Sequence, residues 1–194
     1  MRVITGSARG RRLITLEGED IRPTTDKVKE AVFSSIQFEI EGRSVLDLFA
    51  GSGSLGIEAL SRGAKKAVFC DLSRQAVGVI NKNLENTRLD SFSTVINTDG
   101  ISYLRTTREK FDIIFMDPPY RKQLIDKAMQ YAHDVMNSGG VIVCESAYDE
   151  ILTEKCGDFT AVKEAKYGKT KVTYYRAEAN ALTVSRYARE VSTP

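Results

Sequence analysis

The sequence of 194 residues is poor in the residue types that mark several classes of protein. It has no tryptophan, one histidine and three cysteines, Cys70, Cys144 and Cys156, without the spacing of a metal site or a disulfide framework. Cys70 and Cys144 fall in apolar runs, where a reduced, buried thiol is the ordinary state. We therefore expect a cytoplasmic protein with neither a bound metal nor structural disulfides.

Long apolar runs and a strong net charge are also missing. No stretch reaches the roughly 20 apolar residues of a membrane span, and residues 1–6 lack the apolar region of a signal peptide. The net charge is +2, but residues 1–12 contain Arg2, Arg9, Arg11 and Arg12 and no acid. This segment suits contacts with phosphate groups, although a solvated, charged hairpin explains it equally well.

From residue 44 onwards, apolar runs typical of strands alternate with helical patterns. Strands are predicted over 44–49, 66–71, 94–98, 111–116 and 140–146, with helices near 26–38, 54–62, 73–86, 100–107 and 121–136. Such alternation predicts an α/β fold with a mostly parallel sheet covered on both faces. Residues 159–167 and 171–177 flank a glycine turn and predict a C-terminal antiparallel hairpin.

The same patterns suggest a division of the chain. We predict a small N-terminal β-hairpin or basic arm over residues 1–20, one main domain over 21–178, and a C-terminal tail over 179–194. The tail has little apolar periodicity, so we expect it to be frayed.

A glycine-rich loop follows the first strand of the alternating region. Gly51, Gly53 and Gly56 have the spacing G-x-G-x-x-G, which permits a tight turn, close approach of the backbone to a ligand and close packing of a helix. Asp71 ends the next strand, where a carboxylate can accept hydrogen bonds from both hydroxyls of a ribose. Together these features predict an adenosine-containing cofactor without saying which one.

Two further acids favour S-adenosylmethionine over a dinucleotide. Asp47 stands just before the glycines, where a carboxylate would repel a pyrophosphate but attract an ammonium group. Asp99 follows the third strand and could accept from the amino group of adenine, although a helix N-cap explains it nearly as well. A dinucleotide would also need a second half-fold, for which this chain has no room.

The sequence Asp117-Pro118-Pro119-Tyr120 comes directly after the apolar strand 111–116. Two adjacent prolines remove two backbone donors, so the segment can belong to neither helix nor sheet. Its carboxylate, outward carbonyls and ring could hold a flat ring that bears an amine. A β-turn with a capping acid is the ordinary alternative; the whole motif after a buried strand favours the site.

These motifs resemble the cofactor loop and catalytic motif of class I S-adenosylmethionine-dependent amino-methyltransferases. More narrowly, residues 22–31, RPTTDKVKEA, and 167–170, YGKT, are similar to the RsmD family. That family methylates the exocyclic N2 amine of one guanine in bacterial small-subunit (16S) ribosomal RNA, and the resemblance covers residues 1–178. It implies a Rossmann-like fold and S-adenosyl-L-methionine as cofactor. It also implies 16S rRNA as the partner, in the small ribosomal subunit or an assembly intermediate, without an obligate protein partner.

The resemblance also implies roles for individual residues. The cofactor would be held by Asp47, Phe49, Gly51, Gly53, Asp71, Leu72 and Asp99. The target base would be held by Asp117, the carbonyl of Pro118 and Tyr120, and the RNA by Arg2, Arg9, Arg11, Arg12, Arg22 and Lys169. Departures from the family pattern are slight: Ser54 replaces a frequent Ala, and Asp71 replaces a common Glu.

Four other functions stay open at this point. A DNA adenine-N6 methyltransferase would use the same chemistry, but usually carries an added domain that reads the duplex. A nicotinamide-dependent oxidoreductase would leave residues 117–120 without a role. A non-enzymatic RNA-binding or ribosome-assembly protein, or a methyltransferase of protein glutamine side chains, explains less of the sequence.

Overall fold

The structure is a computed structural model that describes residues 1–16, 26–119 and 123–177. Its centre is an eight-stranded sheet with the order β3-β2-β1-β4-β5-β8-β7-β6. The strands are β1 (Ser44–Asp47), β2 (Lys66–Asp71), β3 (Ser93–Asn97), β4 (Phe111–Met116), β5 (Met136–Ala147), β6 (Lys155–Cys156), β7 (Phe159–Tyr167) and β8 (Thr170–Ala177). The α-helices are α1 (Asp26–Ser35), α2 (Ser54–Ser61), α3 (Arg74–Thr87), α4 (Gly100–Thr106) and α5 (Leu124–Ala132).

The direction of the strands divides the sheet into two parts. Strands β1 to β5 pair in parallel, while β5 with β8, β8 with β7, and β7 with β6 pair antiparallel. After β3, at one edge, the chain crosses back and places β4 on the other side of β1. Ligands bind at the carboxyl ends of the strands on either side of such a reversal. The predicted fold class, a Rossmann-like sheet with a C-terminal antiparallel hairpin, is confirmed.

Helices cover both faces of the parallel part, because successive strand residues point to opposite faces. Val45, Ala67 and Ile113 belong to the apolar cluster that α1, α2 and α3 complete. Their neighbours Leu46, Val68 and Ile114 belong to the cluster on the other face, with α4 and α5. Strands buried on both sides explain the continuous apolar runs in the sequence.

Several predicted boundaries were wrong. The helix expected over 121–136 is α5 only over Leu124–Ala132, followed by a 3-10 turn at His133–Val135. Strand β5 then begins at Met136 rather than at 140, because Met136 pairs with Phe111 of β4. The first helix also ends early, at Ser35 instead of 38, and a 3-10 turn at Gln37–Glu39 follows it. In the part of the chain that the structure describes, no helix has the length and apolar character of a membrane span.

Residues 1–16 form a tight hairpin-like segment that packs on the main domain. Arg2 and Arg12 make an antiparallel bridge, and the Val3 amide donates to the Arg11 carbonyl at 2.9 Å. Val3 and Leu13 are buried in the cluster under α1, α2 and α3. The predicted division at 20/21 and 178/179 falls outside the described residues, as does the tail, so that division stays a prediction.

Candidate active site

A cavity of about 410 Å³ opens at the carboxyl ends of β1, β2, β3 and β4. Each strand contributes one acid to its lining: Asp47 ends β1, Asp71 ends β2, Asp99 follows β3 and Asp117 follows β4. Eight of the residues predicted for the site line this one cavity: Asp47, Phe49, Gly51, Asp71, Leu72, Asp99, Asp117 and Pro118. Residues that are far apart in the sequence therefore meet at one edge of the sheet, as the parallel strands require.

Asp47 is the most buried of the four acids, with 1% of its surface exposed. Its Oδ2 accepts a hydrogen bond from the Gly56 amide at 2.9 Å, which ties the end of β1 to the first turn of α2. Burial, assisted by the nearby carboxylates of Asp117 and Asp71, raises the pKa of Asp47 from 3.8 to about 7, even though the hydrogen bond from Gly56 lowers it. A carboxyl group in this state gains most from a cation, which would restore its ionised form.

Asp71 joins the end of β2 to the glycine loop. Its Oδ2 accepts from the Gly51 amide and its Oδ1 from the Ser73 amide, both at 2.8 Å. The side chain of Asn97 donates to the carbonyls of Asp71 and Leu72, so the turn that carries them is held in place. Each carboxylate oxygen of Asp71 can accept a second hydrogen bond, as a ribose hydroxyl would require.

Leu72 and Asp99 both line the cavity. Leu72 is 73% exposed, which leaves an apolar surface next to Asp71. Asp99 is also the N-cap of α4, since its Oδ2 accepts from the Ser102 amide at 2.8 Å. The alternative of a helix cap is therefore correct, and it is compatible with a place in the cavity.

The three glycines of the loop have different surroundings. Gly51 lines the cavity at φ +55°, whereas Gly53, at φ +77°, does not line it and turns the chain into α2. A Cβ on Gly56 would lie 2.3 Å from the ring of Phe69, so only glycine allows α2 to approach β2 this closely. The predicted role of Gly56 in helix packing agrees with this contact; cofactor binding by Gly53 stays a prediction.

The described part of the predicted target-base site lies beside Asp47. Asp117 and Pro118 line the cavity directly after β4, and Pro119 lines it too. Tyr120, predicted to stack on the base, and Arg22, predicted to contact RNA, lie outside the described residues.

The remaining residues predicted for RNA binding are exposed. The N-terminal segment exposes the side chains of Arg2, Arg9, Arg11 and Arg12. Arg2 forms an ion pair with Asp26 of α1, with 3.7 Å between Nε and Oδ2. Lys169 is exposed in the turn between β7 and β8. Because Thr170 pairs with Ala147 at the end of β5, this turn lies at the same edge of the sheet as the cavity.

Several residues of the cavity had not been predicted. Thr15 and Leu16 of the N-terminal segment line it, as do Ser73 and Gln75 at the start of α3. Gly100 also lines it, and a Cβ there would lie 2.9 Å from the Leu48 carbonyl. A glycine directly after the capping Asp99 was the available sequence signal for Gly100; Thr15 and Leu16 carry no such signal.

A buried ion pair behind the cavity had also escaped prediction. Lys29 of α1 and Glu58 of α2 are fully buried, with Nζ and Oε2 3.7 Å apart. Lys29 donates to the Arg2 carbonyl and to Ser54 Oγ, and burial lowers its pKa. Glu58 accepts from the amides of Ile4 and Thr5. The pair therefore holds the N-terminal segment on the domain.

The parallel sheet that reverses between β1 and β4, the glycine loop after β1 and the acids at the strand ends agree with the class that the sequence resembles, the class I S-adenosylmethionine-dependent methyltransferases. The comparisons with known proteins agree. The family model described as "Conserved hypothetical protein 95" matches residues 1–176. YlbH of Bacillus subtilis, named as an rRNA methyltransferase, is 38% identical over 181 residues, which cover 91% of this chain and 98% of that protein.

Two further relatives identify the family within this class. Ribosomal RNA small subunit methyltransferase D of Haemophilus influenzae is 35% identical, with 91% of this chain and 93% of that protein covered. The solved structure of Escherichia coli yhhF, named as a methyltransferase, is 32% identical with a TM-score of 0.83, covering 92% and 98% of the two chains. The chain belongs to the RsmD family. The predicted family and cofactor, S-adenosylmethionine, are confirmed. The chain is an S-adenosylmethionine-dependent methyltransferase, as predicted.

Proposed function

We propose that this protein transfers a methyl group from S-adenosylmethionine to the exocyclic N2 amine of a guanine in 16S ribosomal RNA. The observation that carries the proposal is the meeting of Asp117 and Pro118 with Asp47, Asp71 and Asp99 in one cavity. A base held by the first two residues and a cofactor held by the other three would be in direct contact.

The charge of the cavity supports this cofactor over a nucleotide with phosphate groups. Carboxylates from Asp47, Asp71, Asp99 and Asp117 surround it, and they would repel a pyrophosphate. The ammonium and sulfonium groups of S-adenosylmethionine are cations, which the same carboxylates attract. A volume of about 410 Å³ also lies within the range of small-molecule sites.

Each part of the cofactor has a partner of suitable chemistry. Asp47 would hold the ammonium group, Asp71 the ribose hydroxyls and Asp99 the amino group of adenine, with Leu72 against the ring. When bound, S-adenosylmethionine supplies the methyl group together with its leaving group, a neutral thioether. The protein itself then needs to supply neither a covalent nucleophile nor a Lewis acid.

Asp117 and Pro118 would activate the acceptor amine. The lone pair of a guanine amine is delocalised into the ring, which makes the nitrogen a weak nucleophile. If the Asp117 carboxylate and the Pro118 carbonyl accept its two N–H groups, they favour a pyramidal nitrogen and stabilise the positive charge that develops during attack. The base would have to leave its stack to enter the cavity, and Tyr120 would stack on it.

The rRNA substrate is supported by the exposed cations at this edge and on the N-terminal segment. Arg9, Arg11 and Arg12 would contact phosphates, which positions RNA without reading its sequence. Lys169 would contact the RNA backbone next to the target base. We propose that the enzyme acts in the cytoplasm on the small subunit or on an assembly intermediate.

The test is transfer of labelled methyl from S-adenosylmethionine to three acceptors: small subunits that lack the modification, their naked RNA, and duplex DNA. We expect incorporation at a single guanine, in subunits or in their RNA, and none in DNA. Incorporation into adenine of the duplex would instead establish the DNA enzyme. Binding of the cofactor without transfer to any of the three would refute the proposed acceptor.

A further inference from the structure

Asn83 of α3 connects two segments that are distant in the sequence. It is fully buried, and its Oδ1 accepts from the Ile14 amide at 2.8 Å. Its Nδ2 donates to the carbonyls of Ile14 and Ser52, both at 2.9 Å. The side-chain amide of Asn83 therefore makes two hydrogen bonds with the backbone of Ile14, one as acceptor and one as donor, as a neighbouring strand would. Its second N–H donates to the Ser52 carbonyl of the glycine loop.

Both partners of Asn83 belong to segments that line the cavity. Ser52 stands between Gly51 and Gly53 and lines the cavity. Ile14 directly precedes Thr15 and Leu16, which line it from the N-terminal segment. Asn83 is not among the lining residues, so any effect on the cofactor would pass through these two segments.

The rest of the N-terminal segment has a separate attachment. Glu58 accepts from the amides of Ile4 and Thr5, and the Ser61 hydroxyl donates to the Thr5 carbonyl and accepts from the Ala8 amide. Loss of the Asn83 bonds would therefore release residues 14–16 locally, while residues 3–8 stay on α2.

We propose that Asn83 is a positioning residue for the cofactor. It sets residues 14–16 against the glycine loop, so the affinity for the cofactor and the position of the N-terminal segment depend on each other. Because such coupling is reciprocal, bound cofactor would also hold in place the end of the segment whose arginines are proposed to contact RNA. This inference rests on the proposed function, since it takes the cavity as the cofactor site.

The first test uses Asn83→Asp, which keeps the size and the acceptor of the side chain but removes both donors. The matched controls are Asn81→Asp and Asn86→Asp, which make the same change at exposed positions of α3. Binding of S-adenosylhomocysteine, the product form of the cofactor, is measured by calorimetry. We expect the Kd of Asn83→Asp to rise about tenfold or more, the effect of one or two lost hydrogen bonds to buried groups.

The binding curve separates this role from a purely structural one. A loss of folded protein lowers the number of binding sites and leaves Kd unchanged. Displacement of the lining residues Thr15, Leu16 and Ser52 raises Kd and leaves the number of binding sites unchanged. The controls should bind like the wild type. An unchanged Kd in Asn83→Asp would overturn the inference and leave the proposed function standing. If the wild-type protein itself does not bind S-adenosylhomocysteine, the proposed function and this inference both fail.

A second test needs no variant and so does not depend on the folding of one. Amide hydrogen exchange is followed at Ile14, whose N–H donates to Asn83, and at Gly10, whose N–H donates to the Val3 carbonyl within the segment. We expect S-adenosylhomocysteine to slow exchange at Ile14 more than at Gly10. Equal protection of the two amides would contradict the coupling.

Discussion

Replacement of Asp47 by Asn should make the protein more stable and a poorer binder of its cofactor. Asn keeps the size of the side chain and an oxygen that can accept from the Gly56 amide. It removes a carboxylate whose ionised form is penalised, because burial raises the pKa of Asp47 from 3.8 to about 7. The residue thus opposes folding at neutral pH, as expected of a group kept for binding a cation.

The size of the effect follows from the pKa. Since one pKa unit corresponds to about 1.4 kcal/mol, the ionised carboxylate costs about 4 kcal/mol once the pH is above both values. The folded protein holds this proton to a higher pH than the unfolded chain does. The cost is therefore absent below pH 3.8, grows as the pH rises, and is complete above about pH 7.

Urea unfolding without cofactor measures this difference. The stabilisation by Asp47→Asn should grow by ~3 kcal/mol between about pH 5 and about pH 8.5. The exposed Asp158→Asn serves as control and should show no such growth. In calorimetry at about pH 8, Asp47→Asn should bind S-adenosylhomocysteine about tenfold or more weakly, since a charged partner of the ammonium group is lost. A stability difference between variant and wild type that is the same at both pH values would refute the reasoning.

Four further predictions concern the site and the N-terminal segment. Asp117→Ala should lower kcat about a hundredfold or more while the cofactor Kd stays within about threefold; full activity in the transfer assay would remove Asp117 from the reaction. Asp71→Ala should do the reverse and raise the cofactor Kd about tenfold or more, and unchanged affinity in calorimetry would remove it from the ribose site. Simultaneous replacement of Arg9, Arg11 and Arg12 by Gln should weaken RNA binding and flatten its salt dependence, and an unchanged slope would mean that these side chains are merely solvated. Glu58→Gln should lower the free energy of unfolding by ~3 kcal/mol or more, because it removes the buried carboxylate that pairs with both Lys29 and Arg62; an unfolding midpoint equal to that of wild type would contradict this.

Elements with strong local signals could be predicted from the sequence. Strands β2 and β4 lie at their predicted positions, because strands buried on both faces are continuous apolar runs between turn residues. The hairpin of β7 and β8 follows from the glycine between two extended runs. Strand β5 was predicted four residues too short at its start, because its first residue is decided by pairing with Phe111 of another strand.

The candidate site was also predictable in part. Asp47, Asp71, Asp99 and Asp117 each follow an apolar strand, and parallel strands bring their carboxyl ends to one edge. A sequence with those strands therefore implies that the four acids converge, before any contact is known.

Tertiary structure alone decided which polar groups from distant parts of the chain pair with one another around this site. Asn83 reaches Ile14 across 69 residues and Glu58 reaches Ile4 across 54. No local pattern marks such pairs, because a buried amide or carboxylate finds its partner only when helices and loops have packed. The sequence by itself determined the strands, the glycine loop and the acids at one edge of the sheet, since these depend on local periodicity and chain direction. The cavity wall formed by Thr15 and Leu16, the buried ion pair and the raised pKa of Asp47 arise only from packing, since each depends on contacts with residues that are remote along the chain.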